Sequence, residues 1–215
     1  MSATEEPGTP GISSGDVGPI LRVRGLVAGR QIDMKLKDAH NEGELMEFSE
    51  LIVSRYSVRA YRKDPVEQDK LDRILEASRM APTACNLQPY QIVVIQTAGL
   101  EKELLRIYHR EWFVQAPLVL CVCGLPRAAW VRKDGRNYFE TDAAIAMDHL
   151  ILAAANEGLG SCWIAAFDAS AAREILSIPD GVEPLFFTPL GYAADRPASK
   201  ERKPISALVR YDRRR

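Results

Sequence analysis

The polar residues Arg55, Ser57 and Arg59 stand two apart in the run Arg55-Tyr56-Ser57-Val58-Arg59. Two guanidinium groups and a hydroxyl at this spacing suit a phosphate monoester, because arginine donates paired hydrogen bonds to phosphate oxygens. Taken alone the run is a weak signal, since surface arginines at the end of a helix give the same pattern.

Two further polar segments lie downstream. The first joins a predicted helix to a predicted strand and reads Pro82-Thr83-Ala84-Cys85-Asn86-Leu87-Gln88-Pro89-Tyr90. Its prolines restrict the backbone, and the amides of Asn86 and Gln88 can bond the edge of an amide-rich ring. The second segment, Lys200-Glu201-Arg202-Lys203-Pro204, gathers cations after the last predicted strand. An ordinary connecting loop and a solvated run of charges are the alternative interpretations.

Other kinds of chemistry lack their sequence signatures. The chain has no G-x-S-x-G elbow, no H-E-x-x-H pair, no G-x-x-x-x-G-K-S/T loop and no G-x-G-x-x-G after a strand. Four cysteines without C-x-x-C spacing and only three histidines argue against a zinc site. The 28 basic and 29 acidic residues nearly balance, which gives no reason to expect nucleic acid as a partner.

The compartment and the domain organisation follow from composition. No apolar run approaches the length of a membrane span, and the cysteine usage favours a reduced, cytoplasmic chain. Residues 1–45 are predicted to be an N-terminal extension, partly disordered, because their start is rich in Gly, Pro, Ser, Thr and acid. The clearly patterned domain spans residues 46–215.

The polar segments lie at the ends of predicted elements. Helices are expected over residues 47–55, from Pro65 to before Pro82, over 100–108, over 138–157, and from a cap at Asp168 or Ser170 to about Leu176. Asp64 and Glu67 are expected to cap the second helix. Strands are expected over residues 91–95, 117–123, 161–164 and 185–190. These elements indicate an α+β or mixed α/β sandwich.

The helix over residues 138–157 is alanine-rich and apolar on most of its sides. A helix of this kind is buried in a core or in a subunit interface. Gly158 is expected to end it as a C-cap glycine.

The segments in their order resemble the nitroreductase superfamily of FMN enzymes. Its members carry R-x-S-x-R, then P-S/T-x-x-N-x-Q-P followed by an aromatic residue, then G-L-G-S/T-x-W-I/L, then K/R-x-R-K-P. The third motif is present here as Gly158-Leu159-Gly160-Ser161-Cys162-Trp163-Ile164. Each motif alone is loose, but all four in order are specific, and the resemblance covers residues 46–215.

The resemblance implies an α+β three-layer sandwich with a mixed central sheet, in a domain-entwined homodimer with FMN at the interface. It implies that the FMN phosphate and ribityl chain are held by the first and last motifs: Arg55, Tyr56, Ser57, Arg59, Lys200 and Arg202. Asn86 would face the flavin ring, and Pro82, Thr83 and Ala84 would belong to the part of the site formed with the other subunit.

The resemblance also implies that Ile164, Ala165 and Ala166 run along the isoalloxazine, with backbone groups near the reactive N5 position. The chain departs from many members in having Ala165-Ala166 where a glycine is common, and Tyr56 where a second basic residue is frequent. The acceptor pocket would be lined by the insertion over residues 126–139.

The implied activity is an oxidoreductase that passes electrons from NADH or NADPH through FMN to a small aromatic acceptor, such as a nitroarene or quinone, by a ping-pong mechanism. No metal ion and no catalytic side chain are required. Two alternatives stay open: a reductive dehalogenase or flavin-fragmenting enzyme with the same fold, and a flavin-binding module without turnover.

Overall fold

The structure is a computed structural model that describes residues 47–197 and 199–212. The expected extension over residues 1–45 lies outside the described residues. The α-helices are α1 Phe48–Ser54, α2 Gln68–Arg79, α3 Glu101–Ile107, α4 Phe139–Asn156 and α5 Ala169–Leu176. The strands are β1 Tyr90–Gln96, β2 Leu118–Gly124, β3 Gly160–Ser161 and β4 Glu183–Gly191. Among the described helices none is long and apolar enough to cross a membrane.

The four strands form one open sheet in the order β1-β2-β4-β3, and every neighbouring pair is antiparallel. This α+β arrangement confirms the expected class but corrects the expected mixed sheet. The parallel pairing in the described part of the chain is a single bridge between Ser57 and Ser161. The pairing does not extend beyond this bridge into a strand.

Strand β2 lies at the centre of the core and is buried along its whole length. Successive side chains of a strand point to opposite faces, so the side chains of β2 belong to two apolar clusters, one on each face of the sheet. One face packs with α2 and α4, and the other packs with α3 and α5. Helices therefore cover both faces of the sheet. Cys121 and Cys123 share one of these faces as fully buried core residues, as the sequence predicts.

Helix α2 begins later than the predicted cap at Asp64. Its N-cap is Glu67, which makes no side-chain cap bond, and the first helical residue is Gln68. The Glu67 carboxylate instead accepts hydrogen bonds from the Tyr192 hydroxyl at 2.7 and 2.8 Å, a contact that lowers the pKa of Glu67. Asp64 pairs with Arg62. The predicted capping box is therefore wrong, because both carboxylates have other partners.

The third strand is shorter than the predicted residues 161–164. Beyond Ser161 the edge chain meets Pro189, which has no N–H to donate. The Cys162 N–H bonds the Thr188 hydroxyl at 3.1 Å, and pairing resumes only at the bridge between Ile164 and Phe187. One proline in β4 thus divides the expected strand into two short pieces.

Two predicted helix ends are confirmed. Gly158 has a φ of +75° after the end of α4, and the N–H groups of Gly158 and Leu159 bond the carbonyls of Ala155 and Ala154 at 3.1 and 2.8 Å. These two bonds make a Schellman motif, which satisfies the last carbonyls of a helix. The Asp168 carboxylate caps α5 by accepting from the Ala171 N–H at 2.9 Å.

We predict that substitutions at Gly158 and at Gly160 lower the stability of the protein for different reasons. An added Cβ at Gly158 meets nothing within 4 Å, so Gly158→Ala costs only the left-handed backbone, about 1 kcal/mol, and Gly158→Asn costs less. An added Cβ at Gly160 comes within 2.7 Å of Val58. Gly160→Ala therefore costs about 1–3 kcal/mol through overpacking, and Gly160→Asn costs more. Urea unfolding of the four variants checks this ranking, and an asparagine that rescues position 160 would contradict it.

Candidate functional site

The first motif lies against the start of the third. After α1 ends at Ser54, the chain runs extended, and the Val58 N–H donates to the Ser161 carbonyl at 3.0 Å. The Val58 side chain is buried and occupies the space above Gly160 that a Cβ would fill. The glycine thus lets residues 55–59 pack directly on the sheet edge.

Asp195 holds this segment from the other side. Its carboxylate accepts from the Tyr56 hydroxyl at 3.0 Å and from the Arg59 N–H at 2.8 Å. Burial and the neighbouring Asp195 carboxylate together raise the pKa of Tyr56. The Tyr56 hydroxyl is thus already occupied by a partner within the chain. Sequence reasoning missed Asp195, because no motif surrounds it and its partners lie 136 and 139 residues away.

Lys200 joins the last motif to the first. Its ammonium group donates to the Val53 carbonyl at 2.6 Å and, in a still shorter contact, to the Arg55 carbonyl. These carbonyls belong to the C-terminal end of α1, where a cation is favoured. Desolvation, followed by the positive charges of Arg55 and Arg202, lowers the pKa of Lys200. Lys200 is therefore close enough to two other predicted phosphate ligands, Arg55 and Arg202, to be repelled by both.

A cleft of about 210 Å³ lies beside this cation cluster. One wall comes from residues 54–58, the other from the end of α4 and the following residues 158–161, and Ala193 completes the lining. Cations beside a small, mainly apolar cleft can bind an anionic group attached to an uncharged stem. In the part of the chain that the structure describes, no group of three or more His, Cys, Asp or Glu side chains could hold a metal ion.

The segment after β3 leads away from this cleft. Ile164 is buried and exchanges two main-chain hydrogen bonds of 2.9 Å with Phe187, and the next residues, Ala165 and Ala166, are exposed. Extended chain covers about 3.3 Å per residue, so Ala165 lies up to about 13 Å from Ser161. The exposed backbone expected along the ring is therefore on the same sheet edge as the cation cluster.

The second motif forms a strained loop between α2 and β1. Cys85, Asn86 and Gln88 have φ values of 51°, 54° and 49°, a conformation that non-glycine residues avoid. The Gln88 N–H bonds the Thr83 hydroxyl at 3.0 Å, and the Gln88 amide bonds the Asn86 carbonyl at 3.0 Å. The same Gln88 amide also donates to the side-chain oxygen of the exposed Asn86 at 3.3 Å, so a bond within the loop orients the Asn86 side chain.

The structure does not bring this loop to the cation cluster within one chain. The Ala84 N–H bonds Asp142 in the first turn of α4, whereas the cleft is lined by Ala155 at the other end of the same helix. Thirteen residues at 1.5 Å each separate these positions by about 20 Å. The predicted site residues therefore fall into two groups at opposite ends of α4.

The insertion expected to line the acceptor pocket forms a hairpin next to the N-terminal end of α4, where the strained loop also lies. Val131 bridges Asn137, and the Trp130 and Tyr138 rings meet edge to face with centroids 4.9 Å apart. Arg132 reaches back to the Tyr138 hydroxyl at 3.1 Å. The hairpin feeds directly into α4, so it adjoins the strained loop and not the cation cluster.

The sequence profile of the Nitroreductase family matches residues 52–114 and 106–192. The chain belongs to the nitroreductase family. It is therefore an oxidoreductase of the nitroreductase type, as the resemblance of the four motifs implies.

Individual family members agree with this assignment. The chain is 30% identical to a Bacillus subtilis protein named FMN reductase (NAD(P)H) over 169 residues, which covers 71% of this chain and 68% of that protein. It is 29% identical to a Thermus thermophilus NADH dehydrogenase over 188 residues, covering 73% and 92%. A crystal structure of a nitroreductase family protein from Clostridium difficile 630 superposes with a TM-score of 0.72 at 36% identity, covering 78% of this chain and 99% of that one.

Proposed function

We propose that this nitroreductase uses FMN to pass electrons from NADH or NADPH to a small aromatic acceptor, such as a nitroarene or quinone, in a ping-pong reaction. The observation that carries the proposal is the cation cluster beside the cleft, assembled from the first and last motifs. The relatives named FMN reductase and NADH dehydrogenase support the choice of cofactor and electron donor.

The residues at the cleft fit a flavin mononucleotide. The FMN phosphate would be held by Arg55, Lys200 and Arg202, together with Ser57 and Arg59. Hydrogen bonds from charged groups to phosphate oxygens are stronger than those between neutral groups. A single phosphate needs no pyrophosphate loop, and the chain has none. Tyr56 would act differently from our sequence prediction, since its hydroxyl bonds Asp195 and positions the segment.

The ring would extend from the cleft along the exposed main chain of Ala165 and Ala166, which follow the buried Ile164. Flavin supplies reversible two-electron transfer when bound. The chain's own groups would bind its phosphate, orient the ring and keep water from one face. The hairpin over residues 126–139 would line the acceptor pocket.

The remaining site residues, Pro82, Thr83, Ala84 and Asn86, would come from a second subunit. The distance of about 20 Å along α4 supports this, because one small cofactor cannot meet both ends of the helix in one chain. Large apolar side chains on α1 and in the C-terminal segment are also exposed in the single chain, and a second subunit would bury them. The exposed fractions of Phe48, Val53, Leu208 and Tyr211 are 65%, 74%, 68% and 80%. We therefore propose an entwined homodimer with the three-layer architecture expected from the sequence.

The proposed compartment is the cytoplasm. All four cysteines of the chain lie among the described residues and none forms a disulfide, which accords with a reducing environment.

The purified protein is predicted to be yellow and to release FMN, not FAD, on denaturation. NADH or NADPH should bleach the flavin absorbance under argon, and a quinone or nitroarene should restore it, because the two half-reactions are separable. Chromatography of the released cofactor and anaerobic absorbance spectra measure both steps. A protein that binds no flavin after reconstitution, or whose flavin neither donor reduces, contradicts the proposal.

Subunit mixing tests the shared site. A heterodimer of an Arg202→Ala subunit and an Asn86→Ala subunit should recover one tight FMN site, because one of its two sites then contains neither substitution. Each variant homodimer should have none. Differently tagged subunits purified in tandem and titrated with FMN provide the measurement. Mixed dimers without a tight site would show that each chain builds its site alone.

Arg202→Ala is predicted to weaken FMN binding more than folding. A hydrogen bond to a charged group contributes about 1.5–3 kcal/mol, so the loss should lower FMN affinity about tenfold or more. The flavin-free protein should change in stability by less than about 0.5 kcal/mol, as expected for an exposed charge. Arg210→Ala is the matched control, since Arg210 is exposed on the same segment but outside the motif. Equal FMN dissociation constants for both variants and the wild type would remove Arg202 from the site.

A further inference from the structure

Asp142 is a buried carboxylate that the proposed reaction does not use. Its side chain lies in the first turn of α4, and the residue is only 2% exposed. One carboxylate oxygen accepts a hydrogen bond of 3.0 Å from the Ala84 N–H. The other oxygen is buried and has no hydrogen-bond partner among the described residues.

The Ala84 N–H belongs to the strained loop over residues 83–88. A residue such as Cys85 or Gln88 held in the left-handed region costs on the order of 1–3 kcal/mol, whereas Asn86 tolerates this conformation better. Such a conformation persists only when the surroundings over-determine it. Within the described chain, the bond to Asp142 is the hydrogen bond that ties these residues to an element other than the adjoining β1.

The carboxylate is suited to this anchoring by its position. The first turn of a helix favours negative charge, and a main-chain N–H bonds an ionised acceptor more strongly than a neutral one. The unpartnered oxygen nevertheless carries a desolvation cost that a small apolar residue would avoid. Proteins keep interactions that lower their stability mainly at functional sites.

We propose that Asp142 is the positioning residue of the strained loop: it anchors the Ala84 N–H so that Asn86 is presented to the flavin ring of the partner subunit. This inference rests on the proposed function. Asp142 itself does not touch the cofactor or the acceptor, so it acts through loop geometry. Its removal loosens the loop while α4 and the sheet remain in place.

Ser78, on the neighbouring helix α2, offers a matched control because it also bonds α4. Its side chain is fully buried, and its hydroxyl donates to the Ala146 carbonyl of α4 at 2.8 Å. Ser78→Ala therefore removes one buried hydrogen bond to α4, one turn beyond Asp142, without touching the bond to the loop. A general loss of stability would have the same effect in Ser78→Ala as in Asp142→Ala.

The experiment compares Asp142→Ala, Asp142→Asn and Ser78→Ala in the full-length chain. In the flavin-free proteins, hydrogen exchange of the peptide covering residues 82–90 should accelerate about tenfold in Asp142→Ala and stay unchanged in Ser78→Ala. The FMN dissociation constant should rise about tenfold in Asp142→Ala and less than twofold in Ser78→Ala. Asp142→Asn keeps an acceptor oxygen for Ala84, so its values should stay within about threefold of the wild type.

The visible circular dichroism of bound flavin reports the ring's surroundings and should change in Asp142→Ala alone. If Asp142→Ala fails to fold, Ala84→Pro replaces it, because proline is tolerated at the first position of a helical turn and removes the donor N–H. Its loop should then show the same accelerated exchange.

Two results would overturn the assignment. One is an Asp142→Ala protein with wild-type FMN affinity and loop exchange; the other is a Ser78→Ala protein that loses affinity equally. A wild-type chain that takes up no FMN overturns the proposed function, and the loop exchange then still supports or refutes the anchoring role of Asp142.

Discussion

The hydrogen bond from the Val58 N–H to the Ser161 carbonyl is the contact on which the site depends. It fastens the chain that leaves α1 to the edge of the sheet, and the missing side chain at Gly160 allows the approach. Asp195 and Lys200 then attach the C-terminal part of the chain to the same segment. Three stretches that are far apart in sequence meet because one short main-chain contact is possible.

Unfavourable interactions occur at both ends of α4. One end holds cations whose mutual repulsion contributes to the lowered pKa of Lys200. The other end holds left-handed residues and a buried carboxylate oxygen without a partner. The core between them is apolar, with β2 fully buried and helices on both faces. Apolar burial of this kind is the dominant favourable term in folding, and it can offset a few local costs.

Local patterns in the sequence predicted most elements, whereas long-range contacts decided the exceptions. The end of α4 at Gly158 and the cap at Asp168 were predictable, because each depends on neighbours within five residues. The cap of α2 was not, since the Glu67 carboxylate is taken by Tyr192 from the far end of the chain. Likewise, the break in the third strand comes from Pro189 on its neighbour.

The candidate site was predictable to the same extent. The motifs predicted Arg55, Ser57 and Arg202 as site residues, because spacing and charge are visible in sequence. Asp195 and Asp142 carry no motif, and each is recognised only by a partner that folding brings to it. The occupied hydroxyl of Tyr56 was hidden for the same reason.

The hairpin over residues 126–139 closes on itself. The Tyr138 N–H bonds the Trp130 carbonyl at 3.0 Å, and the Arg132 N–H bonds the Arg136 carbonyl at 2.9 Å. Its two ends leave from fixed points, β2 and the start of α4. Because the hairpin makes these main-chain bonds within itself, hairpins of other lengths and compositions can replace it between the same two points without disturbing the sheet. Under the proposed function, such a replacement would change the electron acceptor and leave the cation cluster untouched.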